Sequence, residues 1–388
     1  MRRRSTLRQS GRWATLWCAL AIAGPARAAG PPIAPNPVSP DPDPTDGIPP
    51  ALVPSPGVRT LAVGASLVPG VLLHGSGHFA IGRRNTAYRL LAAEGVGLGG
   101  ALVGVGVLAA TGANRYLTAP AAVLAIGGVG IFGTALVSDI VGTAWPLADR
   151  GSPLTTRPHL ELELGYRAVH DPQFAYAHLM KQRLDATFYG WRLSPEMWLA
   201  LDDANARMRF EVAYRPIGPR SDRASSDGSY VDVRTAVTHH RFAPEGFRTL
   251  TTELAARGRL DLARYDDFLM GQFAELEVGV AVQSFDYDLP GLGLGTDNET
   301  LLLTRFAHGV YIGTPPEPPY GEVLHFYDHR HDTYAGGLTG FAIGAPGFFG
   351  FDARIYPTET FGIQADVAFG SAIMGGLSIL TRLPPPPP

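Results

Sequence analysis

The densest set of side chains able to do chemistry is His325-Phe326-Tyr327-Asp328-His329-Arg330-His331-Asp332. Even separations along a strand project the same way, so His325, His329 and His331 would share a face. Three imidazoles so placed could hold a transition metal, with Asp328 or Asp332 orienting them from behind. The competing reading is a polar strand end rimmed by charged residues beside a loop. His239-His240 is weaker, because adjacent strand residues point apart. Leu73-His74-Gly75-Ser76-Gly77-His78 looks like a serine-hydrolase fragment, but a nucleophile elbow needs glycine where His74 stands. Its glycines read better as the turn entering a helical hairpin. Asp286, Asp288, Asp297 and Glu299 flank the loop Leu289–Gly295 with carboxylates of the kind calcium takes, at a spacing that matches no EF-hand. Gly291, Gly293 and Gly295 do not make a dinucleotide fingerprint. Glu94 is an intramembrane carboxylate if its helix begins before Gly95, and ionisable groups at that depth are functional suspects. The reading assigns no catalytic or cofactor-binding residue and expects no cofactor.

The elements that must position these groups are strands. Phe361-Gly362-Ile363-Gln364-Ala365-Asp366-Val367-Ala368-Phe369 places Phe, Ile, Ala, Val and Phe on one face and Gly, Gln, Asp and Ala on the other. His159–Arg167 and Arg207–Arg215 alternate in the same way. Further runs lie near 176–191, 194–201, 229–241, 246–256, 259–270, 273–285, 299–312, 321–329, 333–344, 348–356 and 373–383. Turn signals separate them: Asp202-Asp203-Ala204-Asn205, Asp227-Gly228, Pro290-Gly291 and Pro346-Gly347. Roughly 12 strands of about ten residues over 157–383 predict an antiparallel membrane β-barrel. Tyr166, Tyr189, Trp191, Tyr214, Tyr356 and Phe369, near strand ends, fit interfacial girdles. Two features weigh against the barrel. The last run ends at Leu383 before five prolines instead of on an aromatic residue, and a helical hairpin upstream should tend to stop in an inner membrane.

Residues 1–28 read as a signal peptide. Arg2, Arg3, Arg4, Arg8 and Arg12 precede the apolar stretch Trp13–Ala23 and the Ala26-Arg27-Ala28 cleavage site. The single cysteine of the 388 residues, Cys18, falls inside that segment, so the processed chain would hold neither disulfides nor a cysteine-based metal site. Removing residues 1–28 takes away six arginines and no acids and moves the net charge from −3 to −9. An acidic exported chain is a poor partner for nucleic acid. Residues 29–57 form a Pro-rich linker, with 11 prolines between positions 31 and 56. Residues 384–388 are a proline tail.

Residues 58–148 read as a Gly/Ala-rich membrane helical hairpin. Gly95–Ala113 and Tyr116–Ser138 are uncharged for 19 and 23 residues, each long enough to span a ~30 Å hydrocarbon core. Gly95/Gly99, Gly100/Gly104 and Ala121/Ala125 have the small-xxx-small spacing that lets helix backbones approach. Pro69-Gly70, then Gly75-Ser76-Gly77-His78-Phe79-Ala80-Ile81-Gly82, then Glu94-Gly95 resembles the TM2-like and related uncharacterised two-helix membrane domains of bacteria. Ala80 stands where that pattern has an aromatic residue. The resemblance covers residues 65–145 and implies a membrane hairpin without defined chemistry. The C-terminal part resembles outer-membrane β-barrel proteins in general.

The expected protein is therefore an outer-membrane barrel with a structural, anchoring or narrow-pore role and membrane lipid as its partner, together with helix–helix or envelope protein contacts. Two alternatives stand beside it. One is a barrel-type lipid hydrolase or acyltransferase. The other is a periplasmic β-domain binding module tethered by the hairpin in the inner membrane.

Overall fold

The computed structural model describes residues 55–112, 114, 116–171, 177–287, 297–329, 347–370 and 372–383. The expected signal peptide, most of the expected Pro-rich linker, the proline tail and the alternating run 333–344 lie outside the described residues. Among the described residues four helices come first: α1 (Pro56–Leu67), α2 (Ser76–Ala80), α3 (Arg84–Thr111) and α4 (Thr118–Ala144). Twelve strands follow: β1 (Leu160–His170), β2 (His178–Phe188), β3 (Trp191–Ala200), β4 (Ala206–Ile217), β5 (Tyr230–Phe242), β6 (Phe247–Asp261), β7 (Gln272–Tyr287), β8 (Asp297–Thr314), β9 (Glu317–Asp328), β10 (Phe348–Tyr356), β11 (Phe361–Phe369) and β12 (Ile373–Leu383).

The strands close into a barrel in which each pairs antiparallel with its sequence neighbour and β1 pairs with β12. Closure runs the full length of β1, from Leu160 opposite Leu383 to His170 opposite Ile373. Closing the sheet leaves no strand edge unpaired, the condition for a sheet to sit in hydrocarbon. The expected runs 246–256 and 259–270 are one strand with a cap. β6 ends at Asp261, whose side chain accepts from Ala263 N, and Asp266 accepts from Phe268 N in the same way. These two aspartates turn the chain into short 3-10 turns at Leu262–Arg264 and Asp267–Leu269.

The two faces of the sheet have opposite chemistry. Leu162, Leu164 and Tyr166 of β1, Leu250 and Leu254 of β6, Val280 and Val282 of β7, and Leu377 and Ile379 of β12 are exposed on the outside. Their alternating neighbours Glu161, Glu163, Glu253, Glu275 and Arg382 are buried inside. A water-soluble β-domain buries its apolar face; this barrel buries its charges. Of the aromatics expected in girdles, Tyr166, Tyr189, Trp191, Tyr214 and Phe369 are exposed, but Tyr356 is buried inside with its hydroxyl on Glu161 Oε2 at 2.6 Å.

The helices lie against the outside of the barrel at β7 and β8. Leu90 of α3 and Ala135 of α4 pack with Leu262, Leu269 and Ala274 around the β6–β7 connection. A Cβ on Gly130 of α4 would come 2.8 Å from Phe306 Cγ of β8, so helix and strand touch there without a side chain between them. Within the hairpin, a Cβ on Gly104 would meet Ala121 O at 2.5 Å and one on Gly97 would meet Phe132 N at 2.6 Å, whereas Gly95 and Gly99 face open space. The Gly100/Gly104 pair and Ala121/Ala125 therefore form the seam between α3 and α4, and Gly95/Gly99 does not.

Candidate functional site

The expected histidine triad is placed in part. His325 and His329 share the outward face of β9 and its extension, as their spacing requires, and His331 lies outside the described residues. His325 sits opposite His308 of β8, with ring centroids 5.3 Å apart, and His329 Nδ1 meets Tyr327 OH at 2.7 Å. Among the described residues, no three His, Cys, Asp or Glu side chains converge as a metal site. Of the acidic loop set, Asp286 is paired with Arg248, its Oδ2 lying 2.8 Å from Arg248 Nε, while Asp288 and Gly291–Gly295 lie outside the described residues.

A buried polar cluster forms instead at the foot of the hairpin. Its members are far apart in sequence: His74 and His78 around α2, Glu94 in α3 and Asp139 in α4. The Asp139 carboxylate accepts from Gly75 N (3.1 Å), Gly77 N (3.1 Å) and His78 N (3.2 Å), and its Oδ1 lies 2.5 Å from His78 Nδ1. A carboxylate only accepts, so Nδ1 carries the proton. Gly75 has φ 89°, and a Cβ there would stand 2.5 Å from Ala87 O, so only glycine fits this turn. Glu94 Oε2 accepts from His74 N at 2.8 Å. The His74 ring packs on Phe132 at 4.4 Å, and burial pushes its pKa below the usual histidine value against the pull of the Glu94 and Asp139 carboxylates. Ser66 of α1 meets Thr143 of α4 at 3.1 Å.

This arrangement clamps a loop. Among the described residues His78 Nε2 has no hydrogen-bond partner, and it faces Gly142, where a Cβ would come within 2.7 Å, so the imidazole is sealed from solvent. The same holds for the contact between Ser138 Oγ and His308 Nε2 (3.3 Å), which is sealed between α4 and β8. Arg150 ties the foot of the hairpin to the barrel. It donates to Gly142 O (2.6 Å) and Trp145 O (2.8 Å) at the end of α4 and to Met270 O (3.2 Å) beside β7. Arginine there satisfies helix carbonyls left without partners.

The barrel interior is the second concentration of polar groups. Arg234 bridges Glu211 (2.9 Å), Glu253 (3.2 Å) and Glu277. Glu275 receives Arg257 (2.5 Å), Arg259 (2.7 Å) and Arg305 (3.1 Å). Glu161 receives Arg382 (2.7 Å) and Arg354 (3.2 Å), and Lys181, the one lysine of the chain, sits 2.6 Å from Glu163. Such groups are stable inside only because each charge has a partner.

Both ends of this interior are narrowed by the described residues. At the end carrying Leu160 and Leu383, residues 151–158 run across the opening. Ser152 N bonds Gly313 O (2.9 Å), Leu154 packs on Tyr320, Tyr356 and Leu380, and Arg157 reaches Asp232 (3.4 Å). At the other end Val169, Leu179, Trp198, Phe242, Phe348 and Met374 point inward as one apolar cluster. Cavities of 330 and 350 Å³ remain inside the barrel and share a belt at Arg183, Arg192, Arg257 and Arg305. Sequence alternation marks the polar face of each strand, but not which polar residues of different strands become partners.

No protein-family model matches the chain, and no curated protein does. The resemblance of residues 65–145 to TM2-like domains therefore has no support. Among solved structures, the chain is similar to a KdgM porin in complex with disordered oligogalacturonate (8% identity, TM-score 0.35), covering 58% of this chain and 99% of that one. It is also similar to the translocator domain of the autotransporter NalP from Neisseria meningitidis (9%, TM-score 0.34, 59% and 90%). A third is the outer membrane protein Omp33 of Acinetobacter baumannii (10%, TM-score 0.30, 59% and 100%). Likenesses this weak carry nothing further, and the twelve-stranded closure stands on its own hydrogen-bond register.

Proposed function

We propose that this protein is an outer-membrane barrel whose role is structural, an anchor in the bilayer with a closed interior. The observation that supports it best is the inverted polarity of the sheet, with an outside of Leu, Val, Ile and Phe around an inside of paired arginines and carboxylates. An outward apolar band on a closed barrel belongs against acyl chains, so membrane lipid is the partner of that face. The narrowed ends favour anchoring over diffusion. Segment 151–158 is held across one end by hydrogen bonds to Tyr311 O and Gly313 O, and the Trp198–Phe242 cluster narrows the other. Planar-bilayer recording of the purified full chain tests this role. An anchor leaves the bilayer resistance unchanged, and stable stepwise currents at moderate voltage would show an open pore.

A further inference from the structure

The outward face of the barrel is mostly apolar, with side chains such as Gln182 of β2 and His325 of β9 among the exceptions, and a further polar pair lies beneath α4. There β7 and β8 turn Gln272 and His308 outward, at positions that match Leu276, Val280 and Phe306 on the same strands. Lipid in place of α4 would leave the two polar side chains with only each other as partners. Neither meets it, because Gln272 is 0% and His308 2% exposed. His308 Nε2 lies between Gln272 Oε1 (3.1 Å) and Ser138 Oγ of α4 (3.3 Å). This strip of barrel is built to be covered by a helix.

The helix pair that covers it is itself dressed for hydrocarbon. α3 and α4 are 28 and 27 residues long, about 40 Å at ~1.5 Å per residue, enough to cross a ~30 Å core beside the strands. Away from the barrel they expose Val96, Leu102, Val105 and Val129. Exposed tyrosines mark the two levels where interfacial aromatics belong, Tyr88 near the foot and Tyr116 near the tip, with Arg83, Arg84 and Arg89 clustered at the foot. The ionisable groups in the spans, Glu94 and Asp139, are turned into the foot cluster.

We infer that the α3–α4 hairpin crosses the same bilayer as the barrel, seated permanently on β7–β8, and that acyl chains cover its outer face. The inference rests on the outer-membrane reading of the barrel and settles which bilayer holds the hairpin.

Single cysteines in a Cys18→Ala background test it, in outer-membrane vesicles treated with a membrane-impermeant maleimide. Leu102→Cys reports on the hairpin, Val280→Cys on the barrel belt and Asn114→Cys on the hairpin tip. The expected result is complete labelling of Asn114→Cys, with loss of labelling at Leu102→Cys and Val280→Cys until the protein is denatured. Protection of Val280→Cys with labelling of Leu102→Cys would overturn the inference and leave the barrel reading intact. Labelling of all three would sink the outer-membrane reading and the inference with it.

Discussion

Asp139 Oδ1 stands 2.5 Å from His78 Nδ1, and the same carboxylate gathers the backbone N–H groups of Gly75, Gly77 and His78. One side chain of α4 thus fixes the loop that leads into α3. Weakening the buried acceptor of several hydrogen bonds costs about 1–3 kcal/mol, more where that acceptor is charged. Asp139→Asn is expected to destabilise the foot of the hairpin by that order. Limited proteolysis of membrane-embedded protein checks it: cleavage should appear between α1 and α3 while the barrel stays intact.

The same cluster makes the hairpin foot acid-sensitive. His74 is held below its usual value of ~6.5 by burial, so it is neutral when folded at pH values where the unfolded chain protonates it. The unfolded state then binds more protons, and stability rises with pH. The contribution is fully present above about pH 6.5 and is lost as pH falls below it. Proteolysis rates at the foot should rise from pH 8 to pH 5. In His74→Phe, which keeps the ring on Phe132, the rise should be smaller; an equal rise would clear His74.

Gly104 and Gly99 look alike in sequence and differ in place. Gly104→Leu drives a side chain into the Ala121 backbone and should cost about 1–3 kcal/mol or more, as overpacking does. Gly99→Leu enters open space and should be neutral or slightly stabilising, since Gly disfavours helix by up to ~1 kcal/mol. Thermal melts of the two variants in detergent should separate clearly.

Inside the barrel, Glu275→Gln leaves Arg257, Arg259 and Arg305 facing one another without their shared carboxylate. A loss of about 3–5 kcal/mol is expected. On the outer face, Val280→Arg should cost about 2–4 kcal/mol if that position lies near the bilayer midplane. Urea titration of refolding into vesicles measures both, and a neutral Val280→Arg would speak against the lipid-facing assignment.

How much of this is legible in the sequence depends on the range of the interaction. Strand alternation is local, and Phe361–Phe369 reads correctly from its own residues, with Phe361, Ile363 and Phe369 exposed and Gln364 buried. Closure is not local, since Leu160 meets Leu383. Tyr356 shows the same limit. Its aromatic ring suggested an interface, but it sits on the inward parity of β10 beside Glu161. The sequence singles out Glu94, whose helix does begin before Gly95, but the uncharged stretch from Tyr116 ends at Ser138 and leaves out Asp139. The helices run on past the uncharged stretches, from Arg84 and to Ala144, and carry Glu94 and Asp139 inside. Asp139, bordering the second apolar span as Glu94 borders the first, carries the same signal.

The central claim is a closed barrel with its apolar face in the outer membrane. Its most direct test is the gel mobility of the protein with and without boiling, after separation of inner and outer membranes. The account expects outer-membrane fractionation and a mobility that shifts on heating, because the closed hydrogen-bond ladder resists detergent until boiled. Inner-membrane or soluble fractionation with no shift would contradict it.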